Sequence, residues 1–221
     1  MKVFVAGATG ATGQRIVAEL CQRQIPVRVL VRDINKAREI WPVGNDLVEL
    51  VAGDVGSVDD LMQAIGDCTK VICATGARPS LDPTGPYQVD YVGTKNLVDA
   101  AQAKDIQHFS IVTSLCVSKF FHPLNLFWLI LYWKQQGENY LRASGLNYTI
   151  VRPGGLKNDD VSGILVMSKA DTLFEGSIPR QKVAEVCVES LSQPGAVNKI
   201  VEIVCQSTAI GKDWPTMFGN V

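Results

Sequence analysis

The apolar run Val3-Phe4-Val5-Ala6 stops abruptly in Gly7-Ala8-Thr9-Gly10-Ala11-Thr12-Gly13, and helical apolar spacing resumes at Ile16, Val17 and Leu20. Nothing else in the chain restricts its fold so tightly. Gly7 permits a sharp turn out of a strand. Gly10 leaves no side chain to block a pyrophosphate from the backbone, and Gly13 lets the following helix lie close on the sheet. The first amides of that helix and the positive end of its dipole then face the phosphates. A glycine string can also be a plain structural turn, but its place at the first strand–helix junction favours a dinucleotide site. The spacing is G-x-x-G-x-x-G rather than the more common G-x-G-x-x-G.

The rest of the chain repeats the rhythm of strand, turn and helix. Further strands are expected at 27–31, 47–51, 70–74, 108–113, 148–151 and 199–204, with helices near 34–41, 57–65, 87–103, 124–144 and 180–192. Strands separated by helices imply parallel crossovers, hence an α/β, doubly wound Rossmann-type sheet. With 221 residues, 47% hydrophobic and 19% charged, the expectation is one domain over 1–221 with a small substrate-side extension. Residues 211–221 lack a clear period and read as a surface tail. Lys+Arg number 21 against 22 Asp+Glu, so no basic face is forced and nucleic acid is not an expected partner. The six cysteines form no C-x-x-C pair and suggest neither a metal site nor disulfides. They read as buried thiols of a reducing compartment. With no signal-peptide pattern at the start, a soluble, non-secreted protein of cytoplasm or plastid stroma is expected.

The second strand ends in Val31-Arg32-Asp33. An NAD-selective site would place an acid there for the ribose hydroxyls. Arg32 instead can stack on adenine and grip a 2′-phosphate in a fork. Asp33 can bind ribose hydroxyls or cap the helix beginning near Ile34, and the cap is the stronger reading. Arg28 and Lys36 read as solvated surface charges. NADP(H) is therefore expected over NAD(H). Asp54, after the third strand, can accept from the adenine amino group or cap the next helix. Gly76, after Ala74-Thr75, lets a cofactor ribose lie against the backbone.

These motifs resemble the atypical, NmrA-like branch of the short-chain dehydrogenase/reductase superfamily over nearly the whole chain. The resemblance rests on the 7–13 loop, Arg32, Gly53-Asp54, Ala74-Thr75-Gly76, Val89-Asp90-Tyr91-Val92-Gly93-Thr94, Thr113-Ser114, Trp133-Lys134 and residues 144–155. Residues 124–155 and Asp171-Thr172-Leu173-Phe174 are similar to the dehydrogenase-like module of redox-sensing chloroplast import-translocon subunits and to stand-alone cyanobacterial relatives. The resemblance implies NADP(H) binding. Arg32 would meet the 2′-phosphate, Asp54 and Val55 the adenine, and Thr9 and Thr12 the phosphates, beside Gly7, Gly10, Ala11 and Gly13. Ala74 and Gly76 would line the ribose, and the backbone at Pro153-Gly154 would touch the nicotinamide carboxamide.

Reductases of the superfamily's main branch use Ser, Tyr and Lys, with the tyrosine one helical turn before the lysine. Here Ser114 and Lys134 fit, but the position four before Lys134 is Ile130, and Tyr132 points to another face. Lys134 can still bind ribose hydroxyls, or be a surface charge. Tyr87, Tyr91, His122 and His108 read as structural. Biliverdin IXβ/flavin reductases resemble this loop and lack the tyrosine, and in them the cofactor carries the chemistry. An NADP(H)-dependent reductase of a flavin, quinone or tetrapyrrole-like acceptor is thus expected. Its substrate pocket would lie between the loop after Ser114, residues 155–160 and residues 168–180, with Arg180 and Lys182 as helix-face charges. The alternative is a non-catalytic NADP(H) redox sensor or scaffold. Residues 123–133, apolar almost all round, underlie it. They are too short to span a membrane and read as a core helix, a surface for self-association or a protein partner, or a membrane-surface contact. Association is favoured, since no polar face is left for solvent.

Overall fold

Alternate residues of the first strand, Val3–Ala6 (β1), belong to two different cores. Val3 and Val5 pack with Ile16, Val17 and Leu20, while Phe4 and Ala6 pack with Leu61, Leu97 and Phe109. Successive side chains of a strand point to opposite faces. A strand apolar on both therefore requires helices on both faces. The computed structural model describes residues 1–42, 44–77, 82–159 and 163–221, and it has this layered α/β architecture.

The helices are Ala11–Gln22 (α1), Ile34–Ile40 (α2), Val58–Ile65 (α3), Thr94–Ala103 (α4), Ile130–Ala143 (α5), Arg180–Ser190 (α6) and Trp214–Gly219 (α7). The other strands are Val27–Val31 (β2), Val48–Ala52 (β3), Lys70–Cys73 (β4), His108–Val112 (β5), Tyr148–Pro153 (β6), Gly155–Lys157 (β7), Ile164–Lys169 (β8), Ser177–Pro179 (β9) and Lys199–Gln206 (β10). The sheet order is β3-β2-β1-β4-β5-β6-β10-β9-β7, with β8 against β10. From β3 to β10 the pairings along this path are parallel, whereas β8 and β9 run antiparallel to β10. Helices α1 and α6 cover one face and α3, α4 and α5 the other. Chain order reverses direction at β1, which opens a crevice at the carboxyl ends of β1 and β4.

Several expectations change here. The strands β7, β8 and β9 have no counterpart in the apolar rhythm: β7 and β9 have three residues each, and β8 is exposed at both ends and half-buried between them. The supposed helix 87–103 is π-helical over Tyr87–Gly93 before it becomes α4. The supposed helix 124–144 starts late. Pro123–Leu126 form one 3₁₀ turn, Trp128 and Leu129 take left-handed backbone angles, and α5 begins at Ile130. Residues 123–129 of the apolar run are consequently no core helix: Leu126 is 85% and Phe127 66% exposed, beside Phe121 at 96%. The supposed tail contains α7, whose Phe218 is fully buried. Asp54 caps no helix. Ser57 accepts from the Asp60 amide at the start of α3, and Asp54 Oδ1 accepts from the Gly56 amide at 2.8 Å. Arg28 is no free surface charge, since its guanidinium pairs with Glu49 at 3.4 Å across Gly66. Two cysteines, Cys21 and Cys205, are only half-buried, and all six are free thiols. No helix among the described residues is long and apolar enough to cross a membrane.

Candidate functional site

The carboxyl ends of six adjacent strands set out the site in order: Asp54 after β3, Arg32 after β2, Gly7 after β1, Gly76 after β4, Ser114 after β5, and Pro153 ending β6. A cleft of about 460 Å³ runs along the first four. Its walls include Gly7, Thr9, Gly10, Arg32, Asp54, Val55, Ala74 and Gly76, so the fold gathers eight of the expected cofactor residues on one cavity.

The glycine loop is fitted tightly on its inner side. Gly7 has φ +78°, and a Cβ there would lie 2.5 Å from the Ala74 carbonyl. A Cβ on Gly13 would lie 2.2 Å from the Gly7 oxygen, so α1 packs directly on the turn. Gly10 donates to the Gly7 oxygen at 3.1 Å. Ala11, Thr12 and Gly13 form the first turn of α1 behind the cleft wall, and no side chain caps that helix. Helices α2, α3 and α7 are capped by Asp33, Ser57 and Asp213, whereas α4, α5 and α6, like α1, have no side-chain cap. An uncapped amide end facing a cleft floored by glycine suits a diphosphate. The residues present therefore fit a dinucleotide.

Asp33 accepts from the Asn35 and Lys36 amides at 3.0 and 3.2 Å, which commits it to capping α2. Its neighbour Arg32 is exposed on the cleft and has no ion-pair partner among the described residues. Lys36, mostly exposed, lies 3.7 Å from Asp33 Oδ2.

Lys134 is no surface charge. Its ammonium lies 2.6 Å from Asp90 Oδ1, and the Asp90 side chain is 1% exposed. The other oxygen of Asp90 accepts from the Ala77 amide at 3.3 Å. Asp90 stands in the Val89–Thr94 motif, where its local sequence assigns it no role. An acid between apolar neighbours in a helix was the available signal. Lys134 and Ser114 lie beyond the cleft proper, on its β4–β5 side, with Ser114 half-buried. At Pro153-Gly154, the Pro153 carbonyl accepts from the Leu115 amide and the Gly154 amide donates to Ile203. Tyr87 and Tyr91 pack their rings on Trp133 at 4.8 and 5.8 Å, and Tyr132 packs there at 4.9 Å. His122 accepts from the Leu124 amide, and His108 is buried beside Thr149.

A second missed cluster lies behind Ser114 and Pro153. Arg152 is buried and grips Glu138 through Nη2 at 2.6 Å, with Asp171 at 2.9 Å and Glu202 at 3.4 Å on Nη1. Glu138 also accepts from the Thr113 hydroxyl at 2.6 Å, and Glu202 accepts the amides of Asp171, Thr172 and Leu173. Contacts join the loop after Ser114 to residues 171–174, and Asn158 to Arg180. Ser118 bonds Asp171, Lys119 lies 3.4 Å over the Phe174 ring, and Arg180 reaches Asn158 at 2.8 Å. Lys182 pairs with Glu185 on its own helix. Asp160 lies outside the described residues.

Comparison with known proteins agrees with this geometry. Residues 7–194 match the NAD(P)H-binding family. An uncharacterized chloroplastic protein of Arabidopsis thaliana is 46% identical over 231 residues, covering 100% of this chain and 82% of that protein. The chloroplastic TIC 62 protein of Pisum sativum is 40% identical over 94% of this chain, which spans only 43% of that longer protein. Sanguinarine reductase of Eschscholzia californica is 30% identical over 100% of this chain and 96% of the enzyme. Among solved structures, a Bacillus halodurans protein of NAD-dependent epimerase/dehydratase type superposes with a TM-score of 0.87 at 25% identity, covering 100% of both chains. The glycine-floored crevice at the switch point of the sheet thus has its counterpart in sequence, and the chain belongs to the NAD(P)H-binding family, with the Rossmann-type fold of the atypical short-chain dehydrogenases/reductases.

Proposed function

We propose that this chain is an NADP(H)-dependent reductase whose acceptor is a flavin, quinone or tetrapyrrole-like molecule. The observation that carries the choice of NADP(H) is Arg32: an exposed guanidinium on the cleft with its neighbouring acid already spent on a helix cap. A fork of donors without a carboxylate partner is suited to a 2′-phosphate. In this reading the amides opening α1, with Thr9 and Thr12, hold the diphosphate, while Asp54 and Val55 flank the adenine. Ala74, Gly76 and Lys134 line ribose, and the Pro153-Gly154 backbone lies by the carboxamide. The bound cofactor supplies hydride. Ser114 polarises the acceptor. Ile130 stands where a tyrosine would, and the rings of Tyr87, Tyr91 and Tyr132 pack on Trp133. That favours acceptors that take their proton from water. The names of two relatives, a sanguinarine reductase and, by fold at 21% identity, an anaerobillin reductase of Escherichia coli, support reductase chemistry. The chloroplastic relatives support a plastid-like setting.

Calorimetric titration tests the cofactor assignment. NADPH should bind at least about tenfold tighter than NADH, and Arg32→Ala should erase that difference while leaving NADH affinity nearly unchanged. Equal binding of both cofactors by the wild type overturns it. NADPH oxidation across a panel of flavins, quinones and tetrapyrroles tests the reaction.

A second reading, an NADP(H)-responsive sensor or scaffold, is favoured by the exposed apolar residues 120–129. These would be covered by a second copy, a protein partner or a membrane surface. Sedimentation at high concentration should then show an assembly that Leu126→Glu disperses.

A further inference from the structure

Asp90 and Lys134 form an ion pair just beyond the cleft lining, next to Gly76, that neither the glycine loop nor Arg32 accounts for. Three features bring it about. The π-helical turn of Tyr87–Gly93 carries Asp90 inward, and such turns recur at functional sites. Helix α5 lies directly on that turn at Gly137, where a Cβ would sit 2.8 Å from the Asp90 carbonyl oxygen. That contact sets Lys134, one helical turn earlier, against the Asp90 side chain. Gly76 completes the arrangement. A Cβ there would be 3.7 Å from Lys134 Nζ and 3.8 Å from Asp90 Oδ1, so the ion pair borders the cleft beside a residue without a side chain. Asp90 also fastens the strand end to the helix, because its second oxygen accepts from the Ala77 amide at 3.3 Å, and Ala77 lines the cleft.

An ammonium has three donors and Asp90 engages one of them, which leaves Lys134 able to donate to a further acceptor. The order of strand ends says which part of a dinucleotide that acceptor belongs to. Arg32 and Asp54 follow β2 and β3, on one side of β1, whereas Gly76, Lys134 and Asp90 cluster at the end of β4, on the other. With the diphosphate over the glycine loop at β1, the adenosine half lies towards Arg32 and the nicotinamide half towards Lys134.

We propose that Asp90 is a positioning residue that holds the Lys134 ammonium for the hydroxyls of the nicotinamide-side ribose. This rests on the cofactor reading above. Lys134 in this role is a fixed donor. Asp90 contributes nothing to recognition of the adenosine half, which separates positioning from general support of the fold.

Calorimetry with two probes tests this: NADPH, and 2′,5′-ADP, which has the adenosine and its 2′-phosphate but no second ribose. Wild type, Asp90→Asn, Lys134→Met and the double variant are compared, with melting curves of each without ligand. Each single variant should bind NADPH about tenfold more weakly, the double no more weakly than the weaker single, and all should bind 2′,5′-ADP within about twofold of wild type. Three results overturn the proposal: unchanged NADPH affinity in Asp90→Asn, equal losses for both probes, or losses that multiply in the double variant. If Asp90→Asn does not fold, Lys134→Met decides by the same contrast between probes, and unchanged NADPH affinity or equal losses overturn the proposal. Any of these results with a wild type that binds both probes overturns only this inference, whereas a wild type that binds neither probe removes the cofactor reading together with it.

Discussion

Arg32 and Asp33 are chain neighbours with divided duties, and the division is electrostatic. An acid left free beside Arg32 would compete with a 2′-phosphate for the guanidinium. Here Asp33 instead receives the Asn35 and Lys36 amides. Asp33→Ala should therefore cost about 1 kcal/mol of stability in denaturant unfolding and leave the ratio of NADPH to NADH affinity unchanged. A changed ratio would make Asp33 a ribose ligand after all. His108 shows another local consequence of burial. The Thr149 hydroxyl donates to the Ala196 carbonyl at 2.7 Å, so its oxygen accepts from His108 Nε2–H at 2.9 Å. Burial, with Lys70 adding to it, depresses the His108 pKa from 6.5 to about 4. Within that window the unfolded chain binds a proton that the folded chain refuses, so stability falls as pH drops from 6.5 towards 4. The loss should reach about 3 kcal/mol, and His108→Gln should remove most of it in unfolding curves at pH 7 and pH 4.5.

Elements differ in how far their own residues decide them. Helix α1 and strands β1 and β2 follow their patterns closely, because their apolar positions and the glycine turn are contiguous. The stretch before α5 does not. Asn125 interrupts it by accepting the Leu131 and Tyr132 amides through Oδ1 at 2.9 and 3.1 Å, which starts α5 late and leaves Phe121 and Leu126 in solvent. Helix α7 goes the other way. Its six residues have too short a period to stand out, yet Phe218 stacks on Trp214 and is fully buried in the core that includes Val188 and Ala196. Phe218→Ala should cost about 3–5 kcal/mol in chemical denaturation, where a true surface tail would lose almost nothing.

Across the whole molecule, one guanidinium joins the parts that lie beyond the cofactor cleft. Arg152 of β6 holds Glu138 of α5 and Glu202 of β10, and through Glu202 it holds the 171–173 backbone. Two fully buried carboxylates depend on it. Arg152→Met would leave them without their cation and should destabilise the protein by about 3–5 kcal/mol, read as a fall in the denaturation midpoint. Ser118→Ala, at the exposed rim of the same cluster, should change stability by less than about 0.5 kcal/mol.

The sequence by itself determined the glycine turn and the doubly covered sheet. Each of these is a demand on the backbone or on periodicity within a short stretch, and residue types state such demands directly. Only the tertiary structure decided that Asp33 caps a helix, that Lys134 faces Asp90, 44 residues away, that Arg152 gathers three acids, that the apolar side chains of 120–129 lie open and that the C-terminal helix is docked. A charge is a surface lysine or half of a buried pair according to which surfaces meet around it. That is settled by the packing of distant elements, to which no local pattern of residues has access.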